Sequence, residues 1–452
     1  MSENAGAGRR AAIVGSGPAG FYAAEFLLRA GVAVDLYERL PAPFGLVRYG
    51  VAPDHQTIKR VAGAFERTAK HPNFRFRGNV QIGAVLAVDE LASAYEVVIL
   101  AYGASTDRRL GVAGEELAGS HAATAFVAWY NAHPDHKTDR YDLTSERCAS
   151  ERAVVVGMGN VALDVARVLV RRTEELESTD IADPALSALR ESRLREVVLL
   201  GRRGPAEAAF DQGELEDIVK LAGVGVSVEG AVNFEVPEGA DAAVRKNAEY
   251  LATLPREPSA KAERRVRLRF LASPVELVGE AGHVRAIRFE DNELVTVDGR
   301  SAARGTGMVH ELPTGFVVRS IGYQGLPIAG VPFDVRRAVI PNQAGRVLGP
   351  GGVPLPGLYV TGWIKRGPNG LIGTNKADAK ETTELVLADL ETLPAPARTR
   401  EDIDALLAER GVKVVGYEDW HAIDAIEVER GKAKGKVRDK LPTVEEMLAA
   451  LE

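Results

Sequence analysis

Two stretches of this chain repeat one order of residues that few folds accommodate. Ala11-Ala-Ile-Val14 runs into Gly15-x-Gly17-Pro18-Ala19-Gly20 and then into an Ala- and Leu-rich run from Phe21 to Ala30. Ala153-Val-Val-Val156 runs into Gly157-x-Gly159-Asn160-Val161-Ala162 and then Leu163 to Arg171. Four apolar residues, a glycine turn and a helix-forming run describe a buried parallel strand, a tight turn and a helix folded back on the strand. The first glycine permits the turn, the second admits close approach of a ligand, and the third glycine or alanine lets helix and strand pack. The helix start then offers unpaired N–H groups at its positive end, where a diphosphate is stabilised. Two such units predict an α/β chain with two Rossmann-like domains and two bound dinucleotides.

The ends of the next strands distinguish the two nucleotides. Val34-Asp-Leu-Tyr37 ends at Glu38, whose carboxylate accepts ribose hydroxyls and repels a 2′-phosphate. The first site is therefore expected to take FAD or NAD. Val197-Val-Leu-Leu200 ends instead in Gly201-Arg202-Arg203-Gly204. Guanidinium groups there present planar donors to a 2′-phosphate, so NADP(H) is expected at the second site.

Between and beyond these units the chain carries further expectations. Pro41 to His55 holds too much proline and glycine for a helix and is expected to wrap the far end of the first cofactor. A helix is predicted over Gln56–Lys70, a strand over Phe74–Ile82 that sets the Val80 backbone beside the adenine, a strand over Val97–Ala104, and a linker over Asp107–Glu116. In the second half, residues 173–195 look like a charged surface insertion, a helix starts near Ala208, and an amphipathic helix spans Asp241–Pro258. Arg264–Phe270 alternates as a strand, and Phe316–Tyr323 is expected to return the chain to the first domain. Gly357 to Thr374 is rich in glycine and leads into a helix reaching about Leu390. Its N-terminus is suited to stabilising negative charge on the pyrimidine side of a flavin ring. One more helix is expected near 400–410, and the basic run Lys432–Lys440 is expected to be solvated.

A net charge of −7 argues against nucleic acid as a general partner. No apolar run is long enough for a membrane span, and Met1–Arg10 lacks the apolar core of a signal peptide, so a cytoplasmic protein is expected. Cys148 is the only cysteine. A disulfide framework, a cysteine-ligated zinc, a protein-bound iron–sulfur cluster and a redox Cys-x-x-Cys pair all need more thiolates, and no metal site is expected.

Gly15–Ala24, Pro43-Phe-Gly-Leu-Val-Arg-Tyr-Gly-Val-Ala-Pro-Asp-His55, Gly159-Asn-Val-Ala-Leu-Asp-Val-Ala-Arg167, Gly201-Arg-Arg-Gly-Pro205 and Gly362-Trp-Ile-Lys-Arg-Gly-Pro368 resemble the adrenodoxin-reductase-type NADPH–ferredoxin reductases. The resemblance spans nearly the whole chain. It implies a glutathione-reductase-like fold, with an FAD domain over 1–108 and 323–452 and an NADP domain over 109–322 inserted between them. It assigns FAD to Gly15–Gly20, Glu38, Leu46, Val80, Trp363, Gly370, Leu371 and Ile372. NADPH falls to Gly159, Asn160, Val161, Ala162, Arg202, Arg203 and Glu214, with its nicotinamide reaching Gly370. His55 and Glu214 are implied at the flavin–nicotinamide junction as orienting groups. The chain departs from the family where Ala-Phe-Thr is usual and Ala209-Phe210-Asp211 stands instead.

The activity implied is hydride transfer from NADPH to FAD and then two one-electron transfers to a ferredoxin-type iron–sulfur protein. A disulfide reductase would need a cysteine pair, and a glutamate-synthase-type subunit a cysteine-rich cluster region. A flavin monooxygenase, an NADPH oxidase or diaphorase, and a non-enzymatic NADP(H) sensor remain open. Ferredoxins are generally acidic, so a local basic dock is expected, with Arg245 and Lys246 as its candidates.

Overall fold

A computed structural model describes residues 6–144, 150–230, 232–298 and 300–452; Cys148 and Met1–Ala5 lie outside them. The chain divides into two compact units. One comprises Met1–Thr106, Asn131–Lys137 and Tyr323–Glu452, the other Asp107–Tyr130 and Thr138–Gly322.

The first unit is built on a seven-stranded sheet in the order Asn342–Gln343, Arg346–Leu348, Pro354–Val360, Val97–Leu100, Arg10–Val14, Ala33–Tyr37, Phe74–Arg77. The last five are parallel, and an antiparallel hairpin closes one edge. Arg10–Val14 and Val97–Leu100 are apolar almost throughout because both faces of a parallel sheet are covered. On one face, helices Pro18–Arg29 and Ile372–Asp389 share a core of Ala23, Leu27, Ala379, Val386 and Leu390. Residues from near the chain's two ends thereby build one layer.

The second unit holds a six-stranded parallel sheet in the order Ser120–Ala122, Phe316–Arg319, Arg152–Val156, Glu196–Leu200, Arg264–Arg269, Val224–Glu229. A three-stranded antiparallel sheet accompanies it: Ala272–Glu280, His283–Val297 and Arg300–Pro313.

Several local expectations are corrected. The Gln56–Lys70 helix is two pieces, Gln56–Lys59 and Ala62–Ala69. The strand from Phe74 ends at Arg77 and that from Val97 at Leu100, where the register with their neighbours ends. The insertion at 173–195 is no mere surface feature. It forms Thr173–Leu176 and Asp183–Arg190, and Leu176, Ile181, Ala185, Leu186 and Leu189 join the unit's core. Apolar residues spaced among the charges give that segment a buried side. Phe316–Arg319 is shorter than expected and lies in the second sheet, between Ser120–Ala122 and Arg152–Val156, and the chain re-enters the first unit at Tyr323. The amphipathic helix spans Ala242–Thr253, and the helix expected from Ala208 begins at Gln212.

The basic run at 432–440 is also corrected. Lys436, Asp439 and Lys440 are buried, with Asp439 accepting from Arg430 at 3.1 Å and Lys434 at 2.8 Å. The preceding helix, Tyr417–Ala433, carries a fully buried Glu427 that accepts from Arg48 at 2.6 Å, from the Leu441 N–H at 2.9 Å and from Arg438 at 3.1 Å. Burial opposes the charge on Glu427, yet Arg48 holds its pKa below the ordinary carboxylate range. The tail thus grips the loop that follows the second strand.

Candidate dinucleotide sites

In the first unit the glycines have separable roles. A β-carbon at Gly20 would overlap the Gly15 carbonyl oxygen, whereas one at Gly17 would meet nothing within 4 Å. Gly20 is there for helix–strand packing, and Gly17 faces open space. Pro18 sits at the helix start, where its missing N–H costs nothing. Ala19 and Gly20 follow, their N–H groups having no acceptor inside the helix.

Glu38 is turned toward this turn. Its Oε2 accepts from the Ser16 N–H at 3.0 Å and the Ser16 hydroxyl at 2.7 Å, and its Oε1 accepts from the Leu40 N–H at 3.2 Å. Oε1 keeps a lone pair for a ribose hydroxyl. The neighbouring Arg39 is occupied by Asp135, at 2.7 and 3.2 Å, from the segment 131–137 that returns to this unit. That guanidinium is therefore not available to attract a 2′-phosphate. Val80 is buried and gives its N–H to the Glu38 carbonyl at 2.8 Å, so only its carbonyl is left for an adenine.

The loop Pro41–His55 contains a helical turn after all, Leu46–Tyr49. It forms because both sides of it are anchored. Phe44 holds a left-handed backbone, φ 81°, at a cost of about 1–3 kcal/mol, and its ring is fixed 5.4 Å from Phe21 and 6.0 Å from Trp420. A β-carbon at Gly45 would meet the Gly17 Cα at 3.1 Å, so this loop presses on the glycine turn. Arg48 is drawn inward by Glu427, which leaves Leu46 facing out. His55 follows, half-buried, as the N-cap of Gln56–Lys59.

The return segment reaches the same place. A β-carbon at Gly362 would lie 2.6 Å from the Ala19 Cβ, and the Gly362 N–H donates to Asp378 at 2.5 Å. Trp363 packs 5.3 Å from Tyr323, and its buried indole N–H has no partner among the described residues. Gly370 has φ 78°, Leu371 is 57% exposed, and Ile372 opens the helix to Asp389. Open space at Gly17, spare acceptor capacity on Glu38, an orphaned Trp363 donor and an exposed helix start fit a dinucleotide ending in a flat polar ring, as in FAD.

In the second unit, a β-carbon at Gly159 would also meet nothing within 4 Å. Ala162 is buried, and its N–H bonds to the Gly159 carbonyl at 3.0 Å. Val161 stands in the first turn of helix Asn160–Val170. The Asn160 amide is occupied by Asp211: its Nδ2 donates to the Asp211 carboxylate at 2.9 Å, and its Oδ1 accepts from the Asp211 N–H at 2.7 Å. Arg202 is exposed and Arg203 half-buried, and neither has an ion-pair partner among the described residues. Their loop is fastened from the antiparallel sheet. Asn292 donates to the Arg202 carbonyl at 2.8 Å, and the Leu271 N–H to that of Arg203 at 3.1 Å.

Glu214 lies in the first turn of Gln212–Val219 and accepts from the fully buried Arg167 at 3.1 Å, while Asp164 accepts from Arg167 at 2.6 Å. Burial, aided by the Asp164 charge, pushes the Glu214 carboxyl up to about 7 against the opposing pull of Arg167. The folded chain therefore holds this proton to higher pH than the unfolded chain. Its contribution to stability is complete below about 4.3 and is lost as the pH rises through about 7. Denaturant unfolding followed across pH 5–8, a range of about three units, should show a flatter pH dependence in Glu214→Gln than in the parent chain.

Sequence reasoning missed the Ser16–Glu38 bonds, Asp378, the role of Arg167 and the Arg48–Glu427 pair. Arg167 is a charge in an otherwise apolar helical run, which is a signal, but Asp378 stands among polar residues, and the Arg48–Glu427 pair is 379 positions apart.

Residues 9–235 match the family described as pyridine nucleotide-disulphide oxidoreductase. The chain is 45% identical to the NADPH-ferredoxin reductase FprA of Mycobacterium leprae, over 97% of each chain. It is 42% identical to the mitochondrial NADPH:adrenodoxin oxidoreductase of Salvelinus fontinalis, over 96% of this chain and 90% of that one. The solved structure of Mycobacterium tuberculosis FprA in complex with NADPH superposes with a TM-score of 0.91 at 43% identity, covering 98% of this chain and 99% of that one. The chain belongs to the pyridine nucleotide-disulphide oxidoreductase family, among its NADPH–ferredoxin and adrenodoxin reductases.

Proposed function

We propose that this chain is an FAD-dependent NADPH–ferredoxin reductase, the first unit holding FAD and the second NADP(H). The observation that carries the assignment is the contrast at the two ribose ends: Glu38 with Arg39 neutralised in one unit, Arg202 and Arg203 without ion-pair partners among the described residues in the other. FAD, when bound, supplies the chemistry, taking up a two-electron hydride equivalent and passing electrons on singly.

The chain's own residues bind and orient. Gly17 to Gly20 and Glu38 hold the diphosphate and ribose, Leu46 and Trp363 border the ring, and the helix start at Gly370–Ile372 supplies partial positive charge. Gly159 to Ala162 receive the second diphosphate, and Arg202 and Arg203 the 2′-phosphate. His55 and Glu214 orient the reacting ends. A disulfide relay is ruled out by the single cysteine. A cytoplasmic setting belongs to the same reading; no helix among the described residues is long and apolar enough to cross a membrane.

The partner is a ferredoxin-type iron–sulfur protein. Arg245 and Lys246, adjacent and exposed on helix Ala242–Thr253, are our candidates for its dock. The test is anaerobic: the flavoprotein is reduced with NADPH, oxidised ferredoxin is added, and both chromophores are followed. Flavin bleaching followed by ferredoxin reduction is expected. Bleaching without ferredoxin reduction, or with a hydroxylated product once oxygen is admitted, would replace the reductase with an oxidase or monooxygenase; tight NADPH binding without bleaching would leave a sensor.

A further inference from the structure

Asp211 occupies the N-cap position of helix Gln212–Val219, a place where an aspartate ordinarily turns its carboxylate onto its own helix. Here it makes no such bond. The carboxylate is directed to the Asn160 amide, at the start of the other helix, Asn160–Val170. The pairing is reciprocal, because the Asp211 N–H returns a bond to the Asn160 Oδ1. Both ends of the Asn160 side chain are thereby engaged, and an anion is fixed at the helix end that faces the open space at Gly159. That helix end favours one negative charge through its dipole, and a second anion arriving beside the first is repelled.

We propose that Asp211 sets the affinity of the second site by holding a negative charge beside the diphosphate of NADP(H), making the nucleotide bind more weakly than the turn alone would allow. The inference rests on the reading of Gly159–Ala162 as the NADP(H) diphosphate site. Two consequences follow from the chemistry. Repulsion acts on the diphosphate, so a ligand lacking it is indifferent to residue 211. Asp211 is exposed, so the effect fades as salt shortens the range of the charge.

The discriminating substitution is Asp211→Asn, which keeps an oxygen to accept from Asn160 and leaves the backbone N–H in place while removing the charge. Binding is measured on the FAD-loaded protein by calorimetry with NADP+ and, separately, with adenosine 2′-monophosphate, which carries the 2′-phosphate and no diphosphate. NADP+ is expected to bind about 3–10-fold more tightly to the variant at low ionic strength, with the gain falling toward unity near 1 M salt. Adenosine 2′-monophosphate should bind both proteins equally, which also certifies that the variant is folded. Equal or weaker NADP+ binding by the variant, with the parent binding normally, overturns the role of Asp211. An equal gain for both ligands overturns it too, because the effect would not lie at the diphosphate. A parent chain that binds neither ligand overturns the site assignment itself.

Discussion

Alanine at Gly20 abolishes folding of the first unit, and alanine at Gly17 leaves it folded and unable to retain flavin. The two positions lie three residues apart in the same turn, yet the obstacles they meet are opposite. At Gly20 the new methyl would overlap the Gly15 carbonyl oxygen, a backbone atom in a turn whose own amide is tied to Tyr37 at 2.8 Å. Neither side can give way without separating helix Pro18–Arg29 from strand Arg10–Val14, at a cost of about 4–5 kcal/mol or more, a large share of a domain's stability. At Gly17 the backbone is extended, φ −74° and ψ −178°, which alanine adopts freely, and the methyl meets no protein atom. The cost to the fold is about 1 kcal/mol, that of alanine at an N-cap. The methyl instead fills the space a diphosphate would occupy, and flavin affinity should fall more than about 100-fold, a loss of about 3 kcal/mol. Circular dichroism and the ratio of flavin to protein absorbance separate the outcomes. A yellow, folded Gly20→Ala protein would contradict the packing, and a Gly17→Ala protein with full flavin would place the diphosphate elsewhere.

Replacing Arg202 and Arg203 together with alanine removes the preference for NADPH over NADH. Each guanidinium offers charge-assisted hydrogen bonds to a 2′-phosphate, each bond about 1.5–3 kcal/mol. Discounted for exposure, the pair corresponds to a loss of about 10²–10³-fold in kcat/KM with NADPH, carried mostly by KM. NADH lacks the phosphate, so its kcat/KM should move less than about threefold. The loop itself should survive, because its carbonyls are held by Asn292 and by the Leu271 N–H rather than by the guanidinium groups. Steady-state kinetics with both nucleotides is the measurement. A preference that outlives the double substitution would move the 2′-phosphate site away from this strand end.

Features that depend on adjacent residues are legible in the amino-acid sequence. The two glycine turns, the acid closing one second strand and the arginines closing the other all lie within a few positions of their strands. Local backbone geometry therefore dictates where they point, and the α/β class and the two strand–turn–helix units follow. Element ends are read less well. Phe74 to Ile82 has a strand-like composition, but the ladder with Ala33–Tyr37 ends at Arg77, and Gly78 pairs instead with Val415, far along the chain. Composition carries least where charge and burial meet. The run 432–440 resembles a solvated tail, yet Lys436, Asp439 and Lys440 are buried.

The amino-acid sequence by itself determined the fold class, the two strand–turn–helix units and the acid–arginine contrast between them, because each is a matter of residues within one strand–turn–helix. Tertiary structure alone decided what holds those sites in shape. Arg48 meets Glu427, Asp378 receives the Gly362 N–H, Asp135 occupies Arg39, and Asp211 engages Asn160. Each pair joins residues distant in sequence, and a charge's partner is set by which surfaces the folded chain brings within about 3 Å, a distance that spacing along the chain does not encode.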